Sequence, residues 1–234
     1  MAPTHRERVQ QATRAENKTT ARRQMARDGA AALSLRAIAA EMGLTAPALY
    51  RYHASRDELI TALIVDAFHA LGDALEVAAA GCDPADYPGQ YAAMMHAYRD
   101  WALAHRADFT LVYGTPLPDY HAPPEVTVPA VRRSTAPLLA LLVRAWGAGE
   151  LATPMGEPLP ATLREFYVAF ATEQVGVSVP PELLHATIAG WAHLQGLIML
   201  DVFGHLGPTV GDPAAFYGIA VRAELARLGF RPPG

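Results

Sequence analysis

The chain has 234 residues, of which 51% are hydrophobic and 18% charged, and a formal net charge of −4. That length buries a sizeable core, and the composition excludes an intrinsically disordered chain. A single cysteine, Cys82, excludes an internal disulfide and a cysteine-based metal cluster and suits a reducing compartment. The charge is unevenly placed. Residues 1–56 hold ten Lys/Arg against four Asp/Glu, giving +6, while the remainder holds nine against nineteen, giving −10. A basic head on an acidic body is what binding a polyanion through one end requires.

In chain order, residues 1–13 are polar and read as a mobile basic arm or a frayed extension of the helix that follows. They carry no apolar run and so do not form a signal peptide. Arg14 to Arg27 lacks Gly and Pro and predicts a helix ending near Asp28-Gly29. Two short helices follow, Leu35–Met42 and Ala46–Tyr52, then a long one from Arg56 to Ala80. Beyond Gly81, prolines punctuate the chain into helices over 88–106, 107–114, 127–147, 160–175, 181–204 and 213–228. Alternating strand patterns and repeats are missing, so the predicted fold class is all-α. Residues 183–203 are strongly apolar but include His185, His193, Gln195 and Asp201, which predicts a buried helix and no membrane span. The expected location is cytoplasmic.

The segment 34–58 carries the densest set of signals. Leu35, Ile38, Ala39 and Met42 lie at i, i+3, i+4 and i+7 behind Ser34, a good N-cap. Gly43 supplies the left-handed residue of a sharp turn. Thr45 can cap the next helix, Leu44 and Leu49 can staple its entry, and Pro47 falls in its first turn. Ser55-Arg56-Asp57-Glu58 reads as a capping box. Helix, glycine turn, capped helix and capped helix make a helix-turn-helix, whose second helix fits the DNA major groove.

The run SLRAIAAEMGLTAPALYRYHASRDEL resembles the DNA-binding segment of the TetR/AcrR family of one-component regulators, over roughly residues 14–66. It departs from that family in a polar first helix and in His53, where many members carry phenylalanine. The resemblance implies an N-terminal DNA-binding domain over 14–56 and an effector-binding and dimerisation domain over 57–234, with 57–80 as the connecting helix. It places Arg36 near base edges, where a guanidinium can bond guanine O6 and N7 together. Ala46, Pro47 and Ala48 form the front of the recognition helix and offer only apolar contact. Thr45, Tyr50, Tyr52 and Arg56 match phosphate-contacting positions.

In the acidic body, Met94, Tyr98 and Trp101, with Phe109, Tyr113, Trp146, Tyr167 and Phe170, are expected to line a ligand pocket. Residues 190–196 resemble a W-x-H-x-x-G (WHG) element of one C-terminal subgroup of the family. Helices 181–204 and 213–228 are the expected dimer interface, with Ile188, Trp191, His193, Gln195 and Met199 in it. The implied partners are a palindromic double-stranded DNA operator, an unidentified small-molecule effector and a second copy of the chain. No cofactor and no metal site is expected, since His96 and His105 do not share a helix face at i, i+4. Repression is what the resemblance implies; activation, or an adaptor role without an operator, stays open. G-x-S-x-G, P-loop, dinucleotide and H-E-x-x-H patterns are all missing, which argues against an enzyme.

Overall fold

The computed structural model describes residues 4–152, 157–172 and 179–230. Helices dominate: α1 (His5–Asp28), a 3₁₀ turn (Ala30–Ala32), α2 (Leu35–Glu41), α3 (Ala46–Leu49), α4 (Arg56–Ala80), α5 (Tyr87–Ala104) and α6 (Arg106–Tyr113). Then come α7 (Pro124–Gly147), α8 (Ala161–Phe170), α9 (Pro181–Val202), α10 (Gly207–Val210) and α11 (Pro213–Arg227). Among the described residues no strand forms; an isolated antiparallel bridge pairs Leu151 with Phe230.

Most boundaries follow from local chemistry. α1 starts nine residues before Arg14, because Thr4 and Glu7 form a capping box: the Glu7 N–H donates to Thr4 Oγ1, and the Thr4 N–H donates to the Glu7 carboxylate. Of the two readings of residues 1–13, a mobile arm or an extension of the helix, the extension forms from His5, and residues 1–3 lie outside the described residues. Gly29, at φ +82°, ends the helix with a backbone conformation that a side chain disfavours. Gly207-Pro208 predicts a break, yet α10 begins there. Proline is tolerated in the first turn of a helix, where its missing N–H has no partner to lose, so one short turn forms there. The end expected for α8 at residue 175 lies outside the described residues.

The chain forms two compact units, one of Met1–Ala70 with His105–Arg132, the other of Leu71–Ala104 with Arg133–Gly234. The first is built on Ile38, Leu49, Leu59, Ile60 and Leu63, all essentially inaccessible to solvent, with Met25, Phe68 and Ala130 around them. α6 belongs to this unit. The Arg22 Nε of α1 lies 2.8 and 2.9 Å from the two oxygens of Asp108 on α6, and that carboxylate is buried. In the second unit α5, α9 and α11 pack together, burying Met94 and Tyr98, Leu194 and Ile198, Tyr217 and Val221.

α7 runs through Pro129 and Pro137. Proline at 137 removes the N–H that would bond the Arg133 carbonyl four residues back. Gly72 of α4 faces that carbonyl so closely that a Cβ there would sit 3.0 Å from it. α7 and α9 are long and apolar enough to cross a membrane. Buried stripes on each, Leu141, Leu142 and Ala145 on α7 and Leu183, Leu184, Leu194 and Ile198 on α9, take up part of that apolarity within the fold.

Candidate nucleic-acid interface

The sequence from Ser34 to Glu58 folds as its caps and turn dictate. Ser34 Oγ accepts from the Ala37 N–H at 3.4 Å and starts α2. Gly43 takes φ +67°, and the chain then turns into α3. Leu44 and Leu49 both pack on the core of the first unit, the staple that sets the entry angle. Two details differ from expectation. Thr45 occupies the N-cap of α3 but makes no side-chain cap. The box opening α4 is displaced by one residue: Ser55 Oγ accepts from the Glu58 N–H at 3.1 Å, while the Glu58 carboxylate reaches back to the Ala54 N–H at 2.6 Å.

This arrangement gathers three of the expected DNA contacts. Arg36, Tyr50 and Arg56 border one open depression of about 490 Å³, together with Ser34 and Ser55. Arg36 is exposed, and no hydrogen bond or ion pair holds it among the described residues. Tyr50 is 45% exposed. Thr45 and Pro47 are exposed, whereas Ala46, Ala48 and Tyr52 are partly buried. Arg56 divides its donors. Its Nε and one terminal nitrogen bond the carbonyls of Leu33 and Ala31 at 3.1 Å each, which fixes the 3₁₀ turn and the start of α2. A guanidinium has five N–H donors, so this clamp leaves others for a phosphate, with Nη1 lying 3.7 Å from the exposed Asp57 carboxylate. Sequence gave no signal for the clamp, because its acceptors are backbone atoms more than twenty residues away.

His53 closes the motif. It is 4% exposed, and neither ring nitrogen has a hydrogen-bond partner; the same holds for both amide atoms of Asn17 on α1. Burial pushes the imidazole below its ordinary range. Glu58 and Asp66 oppose that shift, and Lys18 and Arg14 reinforce it.

The eight aromatic and methionine residues expected in one ligand pocket lie in three places. Met94, Tyr98 and Trp101 are core side chains of α5. Phe109 and Tyr113 pack in the first unit, their rings 5.3 Å apart. Trp146, Tyr167 and Phe170 form a small cluster with Val179 and Leu184. Of the expected interface residues, Ile188 and Trp191 are exposed and Met199 is partly buried. His193 Nδ1 lies 2.7 Å from the buried Glu224 carboxylate, which also pairs with Arg227 at 2.6 Å. Gln195 faces inward and accepts from the Tyr98 hydroxyl, because it shares the stripe of Leu194 and Ile198. Among the described residues no cluster of three or more His, Cys, Asp or Glu could hold a metal ion.

Known proteins resemble this chain in sequence and architecture. Residues 19–63 match the family described as bacterial regulatory proteins, tetR family, and residues 91–223 match the tetracyclin repressor-like C-terminal domain. An HTH-type transcriptional regulator of Mycobacterium bovis is 32% identical over 215 residues, covering 88% of each chain. The crystal structure of the regulatory protein SCO4313 superposes with a TM-score of 0.75 at 35% identity, covering 95% of this chain and 100% of that one. RolR, crystallised with resorcinol, shares the fold at 19% identity, with a TM-score of 0.53 and coverage of 97% of this chain and 98% of its own. The chain belongs to the TetR family of transcriptional regulators.

Proposed function

We propose that the protein is a cytoplasmic repressor that binds a palindromic operator as a homodimer and releases it when a small molecule binds. The observation that carries DNA reading is the exposed, uncommitted Arg36 beside Tyr50 and Arg56 on one depression of the helix-turn-helix. Ala46, Pro47 and Ala48 at the front of α3 have no hydrogen-bonding side chain. Sequence preference therefore rests on Arg36, on apolar contact to thymine methyls and on DNA shape. Residues 14–56 do the reading, and Thr45, Tyr50, Tyr52 and Arg56 hold register on phosphates.

Exposed apolar side chains support the homodimer: Ile188, Trp191 and Leu200 on α9, Phe203 at its C-cap, and Phe216 and Ile219 on α11. Such a patch on two neighbouring helices suits a self-complementary interface. We assign the element Trp191, His193 and Gly196 to the WHG subgroup. RolR, of the same fold, was crystallised with an aromatic ligand, which supports a ligand-responsive reading here.

Selection of bound duplexes from a random pool, followed by titration across salt, tests the proposal. One enriched palindrome is the expected result, with an affinity that falls steeply with salt. On that operator Arg36→Ala weakens binding by about 5- to 150-fold, the equivalent of 1–3 kcal/mol, and relaxes preference at one base pair. No enrichment, or an unchanged preference in Arg36→Ala, overturns the reading.

A further inference from the structure

The basic head of the chain is less basic in the fold than in the sequence. Of the ten Lys and Arg in residues 1–56, Lys18, Arg22, Arg23, Arg27 and Arg56 each face a carboxylate of the first compact unit, at 2.8 to 3.7 Å. Arg8, Arg14, Arg36 and Arg51 are exposed, and no ion pair or hydrogen bond holds them among the described residues. Arg36 and Arg51 belong to the helix-turn-helix. Arg8 and Arg14 stand apart from it, on the first turns of α1. Those turns have little packing role. From His5 to Glu16 each described side chain is exposed apart from the half-buried Thr13, and the first buried residue of α1 is Asn17. A helix of that extent, about 18 Å, is marginal in water by itself. The Thr4–Glu7 cap and continuity with the packed part of α1 keep it helical. Val9 is the one large apolar residue in HRERVQQATRAE, so the stretch offers little to a hydrophobic partner.

The direction of α1 aims this stretch at bound DNA. Arg22 lies 3.7 Å from Asp66, in the middle of α4, and Lys18 lies 2.8 Å from the same carboxylate. Lys18 also borders a depression with Asp57 and Glu58, in the first turn of α4. One turn earlier, Arg14 acts together with Lys18 on the ring of His53, just before α4 begins. Followed toward its N-terminus, α1 thus runs to the end of α4 that adjoins the helix-turn-helix. Residues 5–13 continue past that end by about 14 Å.

Arg8, Gln11 and Arg14 follow one i, i+3, i+6 ridge over about 120° of the helix surface. Glu16 lies about 140° round the helix from Gln11. The Glu7 carboxylate is held in the cap by the Thr4 N–H at 2.7 Å and the Thr4 hydroxyl at 2.9 Å. It fills the helix end, so an anion is excluded from the terminus and contact falls to the ridge. A helix with its side chains is about 10–12 Å across and does not enter a minor groove about 6 Å wide. We propose that the first three turns of α1 lie along the DNA backbone outside the major-groove half-site, with Arg8 and Arg14 on phosphates, and add affinity without sequence preference. The placement beside a half-site rests on the operator-binding reading above.

Titration of the full chain against duplex DNA across salt tests this, on the selected operator with and without flanking base pairs and on an unrelated duplex. The double variant Arg8→Gln, Arg14→Gln keeps good helix formers at both positions. It is expected to lower the slope of log affinity against log salt by about two per bound subunit. Operator affinity should fall by at least about 5-fold at about 0.15 M salt, with the same sequence selected. Arg8→Lys with Arg14→Lys is expected to keep the wild-type slope, because a phosphate contact needs the charge and tolerates a lysine. Trimming the flanking base pairs brings the wild-type protein down to the glutamine variant. An unchanged slope in the glutamine variant, a lysine variant as weak as the glutamine one, or an altered selected sequence overturns the proposal. If no operator is selected, yet the glutamine variant loses slope on the unrelated duplex, the phosphate contacts stand and the operator-binding reading falls.

Discussion

The two compact units treat buried polar groups differently. In the second, several such side chains hold partners: Arg99 pairs with Asp201 at 2.7 Å, Glu224 bridges His193 and Arg227, and the Tyr217 hydroxyl donates to the Met95 carbonyl at 3.0 Å. Even Gln195 and Arg133, each with one unsatisfied nitrogen, are engaged through their other polar atoms. In the first unit Asn17 and His53 are buried with no hydrogen bond from any side-chain nitrogen or oxygen. A fully satisfied polar interior specifies one packing, whereas an unsatisfied one sits at a free-energy disadvantage that a rearrangement can relieve. Asn17 and His53 thus give the first unit, which carries the helix-turn-helix, buried polar groups that a rearrangement can satisfy.

The largest test of this contrast lies in the second unit. Arg99 and Asp201 are both mostly buried, with side chains 14% and 13% exposed. Arg99→Ala leaves an uncompensated carboxylate and is expected to cost about 3–5 kcal/mol in urea unfolding, whereas replacing both partners by leucine is close to neutral. A cost under 1 kcal/mol for Arg99→Ala would show that the pair does not lock the unit. In the first unit Arg22→Met breaks the corresponding link to Asp108. Arg22 is about a third exposed, so water compensates part of the loss and the expected cost is smaller, about 2 kcal/mol.

His53→Phe should go the other way. Removing two unsatisfied buried nitrogens while keeping a ring is expected to stabilise by about 1 kcal/mol at pH 7.5. The gain is pH-dependent. Because the folded imidazole titrates below its ordinary value near 6.5, the unfolded chain takes up a proton first as the pH falls. Wild-type stability then drops, by up to about 1.4 kcal/mol per pH unit, until the folded state is protonated as well. His53→Phe removes this contribution, so the stability difference between the two proteins widens from pH 7.5 to 5.5. A difference that is flat with pH would mean that His53 is solvated in the native state.

These contrasts also mark where the sequence was legible. Caps, turn glycines and proline positions act over three or four residues, and they placed α2, α4, α9 and α11 within a residue or two. The helix-turn-helix was readable for the same reason: Ser34, Gly43, Leu44, Leu49 and Ser55 each act on near neighbours. Pairings between distant residues left no local trace. Arg22 and Asp108 are 86 positions apart, and Tyr98 and Gln195 are 97 apart. A large apolar side chain at helical spacing therefore looked the same whether it lined a pocket or, like Met94 and Tyr98, was buried in the packing of its helix.

The smallest expected effect compares two glycines on one helix. A Cβ on Gly190 would lie 2.6 Å from an Arg227 nitrogen and 2.7 Å from a Glu224 oxygen, so alanine there must displace a bonded pair. A Cβ on Gly196 meets nothing within 4 Å. Glycine in a helix interior costs roughly 1 kcal/mol relative to alanine, so Gly196→Ala should stabilise the isolated subunit by up to about that much. Its retention makes sense if a partner helix packs against this face closely enough to need the missing methyl. Gly196→Ala is then expected to raise the unfolding midpoint at low protein concentration and to weaken self-association in sedimentation equilibrium. Gly190→Ala lowers the midpoint through its clash with Glu224 and Arg227. If Gly196→Ala stabilises the subunit and leaves the dimer as tight as before, α9 does not meet its partner at Gly196, and the interface is carried by Phe216 and Ile219 of α11.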